Sequence, residues 1–194
     1  MKYTVVDGHC DTPMELWLRQ ENLRSNTCQV SLERAKKLSG YVQFYAFCTV
    51  WLEQDGSFEA HYAAALEHFN RQLDENKDQI VRCKNEADAR AAIGSGKYGA
   101  FLSIEGAEAI SCDPGKLELA CAQGVRMIAP AWNAQNALTG SCMTGGGLTA
   151  QGKEFVRRAQ KLGMILDVSH ISEKAFWDLC DITEKPFVAS HSNS

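Results

Sequence analysis

The sequence predicts an α/β fold built on a mainly parallel sheet. Three observations predict it. Short β-branched or aromatic runs alternate with longer amphipathic stretches, glycines stand where several of those stretches stop, and no fixed-period repeat, low-complexity tract or linker breaks the alternation. Residues 1–194 therefore read as one domain. The composition agrees: 45% of residues are apolar and 23% charged, which is ordinary for a globular chain and excludes a disordered tail, a collagen-like repeat and a coiled coil. Twenty Lys and Arg against 24 Asp and Glu leave a net charge of −4 with the signs interspersed. That balance argues against nucleic acid or an anionic membrane surface as partner, since both select a basic face. The densest basic cluster, Arg34-Ala35-Lys36-Lys37, reads as a solvated helix face.

The elements follow in order. Residues 3–6 form a β-branched run that stops at Asp7-Gly8, and residues 41–50 are aromatic and β-branched; both read as strands. Between residues 58 and 79 the apolar positions Phe58, Tyr62, Ala65, Leu66, Phe69 and Leu73 recur in steps of three and four, the pattern of an amphipathic helix. His61 and His68 fall on that helix, where a surface position is expected, and they do not form His-Glu-x-x-His. Residues 80–83 read as a short strand and 85–93 as a helix stopped by Gly94. The second half repeats the rhythm: strand 98–104, helix 117–123 with Gly124 as its stop, strand 125–129, a glycine-rich loop 140–147, helix 149–162 closed by Gly163, strand 164–168, helix 173–180 capped by Ser172, and strand 187–189. Gly145-Gly146-Gly147 lacks the strand spacing and the Gly-Lys-Ser/Thr of a phosphate loop, so a flexible active-site loop is expected. Ser141 and Cys142 have no nearby base in sequence and carry little as nucleophiles.

The chemistry sits at the strand ends. His9 and Asp11 follow the first strand, Glu105 follows 98–104, His170 follows 164–168 and His191 follows 187–189. In a parallel α/β barrel the C-terminal strand ends converge on one face, where active sites are built. His9 and Asp11 are two apart, so on extended backbone their side chains point the same way. Singly, each residue has a structural reading: a histidine satisfied in a loop, a glutamate capping a helix, an aspartate in an Asx-turn. Jointly, three histidines and two carboxylates suit Zn2+ or a similar divalent ion. Five ligands exceed what one catalytic zinc takes and fit two ions sharing a carboxylate; Glu105, whose strand lies between those of His9 and His170 in sequence, is the natural bridge. Paired ions can hold a shared hydroxide and polarise a carbonyl, which is hydrolytic chemistry.

Eight cysteines are scattered with no Cys-x-x-Cys, which excludes a zinc ribbon or a thioredoxin-type motif, and the first residues leave no room for a signal peptide. No run reaches the ~18 apolar residues of a membrane span. Reduced thiols in a cytoplasmic protein are expected.

The motifs Asp7-Gly8-His9-Cys10-Asp11-Thr12-Pro13, Ser103-Ile104-Glu105-Gly106, Asp167-Val168-Ser169-His170 and Ser190-His191-Ser192-Asn193 together resemble those of the membrane (renal) dipeptidases, a family of zinc metallopeptidases. The resemblance implies a TIM-type (β/α)8 barrel with a binuclear zinc centre that hydrolyses dipeptides, including those with a D-residue on the C-terminal side. By the same resemblance His9 and Asp11 hold one zinc, His170 and His191 the other, Glu105 bridges them, and a bridging hydroxide attacks the peptide carbonyl; Glu105 and Asp11 thereby act in catalysis through the metal. Animal members place a substrate-contacting histidine after the strand that resembles 125–129; here Trp132 and Asn133 stand there, as candidate substrate-pocket residues. Family members also continue well past the Ser-His-Ser-Asn motif, through an arginine that grips the substrate carboxylate and an aspartate that handles the proton. A complete TIM barrel typically needs about 250 residues and eight strands, against roughly six legible here, so residues 1–194 read as an incomplete barrel, its N-terminal two-thirds. The expected partner is a dipeptide, with no nucleic acid or membrane and a homo-oligomer left open. Another binuclear amidohydrolase or an inactive metal-binding fragment are the competing readings; His9-Cys10-Asp11 in place of His-x-His favours the dipeptidase.

Overall fold

The computed structural model describes residues 3–48 and 58–192, and the chain divides into two compact units: Met1–Phe47 with Tyr62–Ser103, and Cys48–His61 with Ile104–Ser194. In the first unit, β1 (Thr4–Cys10) pairs in parallel with β2 (Gly40–Cys48), β2 neighbours β4 (Tyr98–Glu105), and the short β3 (Ile80–Arg82) pairs in parallel with the start of β4. β2 is buried along almost its whole length, as a strand covered on both faces must be, and its run of large apolar residues reflects that. Side chains alternate across it. Tyr45 and Phe47 point to α3 (Phe58–Glu75), where Tyr45 lies 4.8 Å from the Phe69 ring and Phe47 meets Tyr62 edge-on at 5.5 Å. Phe44, on the opposite face, stacks on Phe101 of β4 at 4.8 Å.

α3 buries the apolar stripe expected of it, Tyr62, Ala65, Leu66, Phe69 and Leu73, but the stripe also takes in His68 and Gln72. His68 is 6% exposed, not a surface residue. Its Nε2 donates to the Glu21 carbonyl at 3.1 Å, and Gln72 Oε1 accepts the Leu23 N–H at 2.8 Å. These polar groups hold the non-periodic segment 21–24, and burial is tolerated because each finds a partner. Preceding that segment is α1 (Thr12–Arg19), with Pro13 in its first turn; α2 (Leu32–Ala35) follows it, capped by Ser31. The helix expected at 85–93 is α4 (Glu86–Gly94), with the Asn85 side chain accepting from the Asp88 N–H. Gly94 is its last helical residue, and the left-handed stop falls at Gly96, φ +74°. The expected strand 41–50 reaches Cys48; its last two residues lie outside the described ones.

In the second unit β5 (Val125–Ala129) pairs in parallel with β6 (Ile165–Leu166). The strand expected over 164–168 keeps only two ladder residues, and that expected over 187–189 is a single bridge between Asp167 and Val188, made by Val168 N–H to Val188 O at 2.8 Å and Val188 N–H to Leu166 O at 2.9 Å. Two 3-10 turns, Ala107–Ile110 and Pro114–Lys116, lead from β4 into α5 (Leu117–Ala122), and Gly124 closes it at φ +105°. α6 (Ala150–Lys161), capped by Thr149, buries Phe155, Val156 and Ala159; α7 (Glu173–Cys180) is capped by Ser172, whose Oγ accepts the Ala175 N–H at 3.0 Å.

The glycine-rich loop is tied down, contrary to the flexible loop expected. Gly145 N–H donates to Ser141 O at 2.8 Å, Cys142 N–H to His170 O at 2.8 Å, and Ser172 Oγ to Gly146 O. Gly145 and Gly146 both adopt positive φ, and a Cβ on Gly140 would sit 1.5 Å from the Gly145 carbonyl oxygen. Gly140→Ala is therefore expected to force the loop open. Overpacking of this kind costs roughly 1–3 kcal/mol, and a thermal melt should show the midpoint falling by roughly 2–4 °C for each of them.

Candidate metal centre

In the first unit the end of β1 carries a bulge. Asp7 pairs with Gln43 and Cys10 with Tyr45, so three steps on β1 oppose two on β2. The His9 N–H turns to Asp7 Oδ1 at 3.1 Å. His9 thus sits within the strand, not after it, and Asp11 begins the turn into α1 with its backbone at φ −85°, ψ 10°. Asp11 makes no side-chain cap to that helix, so the Asx-turn reading does not hold; its Oδ1 lies 3.4 Å from His9 Nε2 instead. Between them in sequence, desolvation pushes the Cys10 thiol up to about 12.

In the second unit Glu105, the last residue of β4, is 4% exposed. His170 Nε2 stands 2.6 Å and His191 Nε2 3.3 Å from Glu105 Oε1, and the two Nε2 atoms are 2.8 Å apart. His170 Nδ1 faces Asn133 Oδ1 at 3.1 Å, and the Trp132 ring centroid lies 6.3 Å from that of His170. The structure therefore groups Glu105, His170, His191, Trp132 and Asn133 in the second unit and pairs His9 with Asp11 in the first.

Two residues not singled out from sequence support this cluster. Asp167, 3% exposed, accepts from Ser169 N–H at 3.1 Å, Ser169 Oγ at 2.7 Å and Ser190 N–H at 3.1 Å through Oδ1, and from Ser190 Oγ through Oδ2. Ser190 Oγ also meets His191 Nδ1 at 2.8 Å. Their signal was present, since Asp167 and Ser190 lie inside the motifs that carry the histidines.

Beyond β4, Glu108 borders a cavity of about 600 Å3 lined by Phe58, Glu59, Cys112 and Asn136. Burial raises the Glu108 carboxyl above its ordinary range against hydrogen bonds from the Asn136 side chain at 2.9 Å and from its own backbone, and burial also pushes the Cys112 thiol up to about 12.

Histidines beside carboxylates at the strand ends of a parallel α/β chain are side chains able to hold a divalent ion. The comparison is more specific. The family described as membrane dipeptidase (peptidase family M19) matches residues 1–194, and the chain belongs to it. An uncharacterized protein of Acinetobacter calcoaceticus, from a PQQ-III 3' region, is 37% identical over 63% of this chain and 42% of its own length. The crystal structure of a metallopeptidase from Rhodobacter sphaeroides, liganded with a phosphinate mimic of L-Ala-D-Ala, matches at TM-score 0.84 and 25% identity, over 100% of this chain and 66% of that one. Dipeptidase AC, a metallopeptidase of family M19, matches at 0.85 and 26%, over 100% and 64%. The fold is accordingly α/β, part of a TIM-type barrel. The chain spans less than half the length of the curated relative and about two-thirds of the solved structures. Among the described residues no helix is long and apolar enough to cross a membrane.

Proposed function

We propose that the protein hydrolyses dipeptides with the help of two divalent metal ions, zinc above others. The observation that carries the reading is the convergence of His170 Nε2, His191 Nε2 and the buried Glu105 carboxylate within 2.6–3.3 Å of one another. Two imidazole nitrogens and a carboxylate oxygen, all offering lone pairs, are a donor set that a cation satisfies. Family membership and the dipeptide mimic on the Rhodobacter relative support the substrate class.

In this proposal His170 and His191 hold one ion, His9 and Asp11 the other, and Glu105 is shared between them. The ions would supply a nucleophilic hydroxide near neutral pH and polarise the scissile carbonyl. The chain's own residues do the rest. Glu105, shielded from solvent at a strand end, fixes where that charge sits. Asp11, its side chain half-exposed, would be the carboxylate of the ion held with His9. Trp132 and Asn133 would border the substrate, the Trp132 ring lying beside His170 and the Asn133 side-chain oxygen holding His170 Nδ1. We place the reaction in the cytoplasm on the cysteine pattern, eight scattered residues without a paired motif.

The test is hydrolysis of L-Ala-D-Ala by the full chain loaded with zinc. Free alanine is expected, lost on chelation and regained when zinc is returned. Protein that holds zinc and leaves a panel of dipeptides intact would overturn the substrate class, and turnover of a cyclic amide or lactone instead would support the other amidohydrolase reading.

A further inference from the structure

We infer that Asp167 is a positioning residue that sets the tautomer of His191 through Ser190 and ties the two histidine-bearing segments together. The consequence for metal rests on the proposed centre; the geometry does not.

The polarity of the hydrogen bonds makes the argument. An ionised carboxylate only accepts, and a serine hydroxyl has one proton to give. Asp167 lies buried where β6 ends, and four donors from two segments reach it: the N–H and Oγ of Ser169 and the N–H and Oγ of Ser190. Giving its proton to Asp167 leaves Ser190 Oγ able only to accept on its other side, where His191 Nδ1 stands at 2.8 Å. His191 must then carry its proton on Nδ1, and its Nε2 lone pair faces Glu105 and His170. Ser169 does the same for the backbone: its hydroxyl proton goes to Asp167, and its oxygen takes the His191 N–H at 3.2 Å. Asn133 Oδ1 plays the equivalent part for His170, accepting from Nδ1 at 3.1 Å. His191 Nε2 is thereby left as an acceptor toward His170 Nε2 and Glu105, both rings would turn Nε2 to a bound cation, and one carboxylate outside the ligand set orders both the segment 167–170 and the segment 188–191. A partner that orients a ligating imidazole in this way is commonly worth about 10–100-fold in metal affinity.

The experiment reads the histidine tautomers of the metal-free full chain by 15N NMR, and zinc affinity by competition with a chelator. Wild-type His191 should show Nδ1–H. In Asp167→Asn an amide N–H turned toward Ser190 sends the hydroxyl proton to Nδ1, so His191 should move to Nε2–H and zinc affinity should fall about 10–100-fold. Because Asp167→Asn is buried and its folding is at risk, Ser190→Ala and Ser190→Thr form a second arm that leaves Asp167 in place. Ser190→Ala should lose affinity to a similar extent, and Ser190→Thr, which keeps the hydroxyl, should stay near wild type. An unchanged His191 tautomer in Asp167→Asn, or equal zinc affinity in the alanine and threonine variants, would overturn the inference. Failure of the dipeptidase reading looks different: the tautomer responds to Asp167 while the wild type hydrolyses no dipeptide.

Discussion

Glu105→Gln is expected to abolish metal-dependent hydrolysis while leaving the chain folded. Glutamine keeps the shape of a residue that is 4% exposed, so packing at the end of β4 is preserved. What changes is charge. The carboxylate that faces His170 and His191 at 2.6 and 3.3 Å becomes a neutral amide, and the ions it would share lose their common anionic ligand. Metal polarisation of a carbonyl supplies several kcal/mol, and a loss of about 4 kcal/mol corresponds to roughly a thousandfold in rate. Zinc content by elemental analysis should fall with kcat, and the melting midpoint should stay close to wild type. A variant that retains both its zinc and its turnover would remove Glu105 from the centre.

The largest effect on stability is expected at Phe69. Its ring is fully buried on α3 and packs against Tyr45 at 4.8 Å and Phe47 at 6.1 Å, so truncation leaves a cavity walled by two large aromatic side chains that cannot collapse into it. Phe69→Ala should cost about 3–5 kcal/mol, a large part of the ~5–15 kcal/mol by which folded domains are stable. Urea unfolding followed by circular dichroism measures it. A loss under 1 kcal/mol would mean that the β2–α3 aromatic cluster contributes far less than its burial indicates.

Much of the fold was legible because the signals were local. The α3 stripe, the stops at Gly124 and Gly163, and the cap at Ser172 depend on residues a few positions apart, where sequence patterns act. The grouping of Glu105, His170 and His191 was legible in the same way, since each stands one or two residues past an apolar run. What stayed hidden depends on distant contacts. The bulge that re-aims His9 requires the register of β1 on β2, and nothing in residues 7–10 reports it. His68 looked like a surface position because its partner, the backbone of Glu21, lies 47 residues away in sequence and shows no periodicity. α1 and α2 escaped because they are short and held by that packing. The strand at 164–168 shrank to two ladder residues because the chain from Asp167 onward turns its polar groups to the segment that follows Val188. Asp167, inside a legible motif, carries no sequence signal of its own because its partner Ser190 lies 23 residues away.

Glu105, His170 and His191 are proposed to hold a divalent ion. Crystals of the full chain loaded with zinc, measured for anomalous scattering at the zinc edge, test it most directly. The account predicts one peak bounded by His170 Nε2, His191 Nε2 and a Glu105 oxygen, and a second beside His9 and Asp11. Zinc-loaded crystals with no peak at the first position, or with peaks only at other residues, would contradict it.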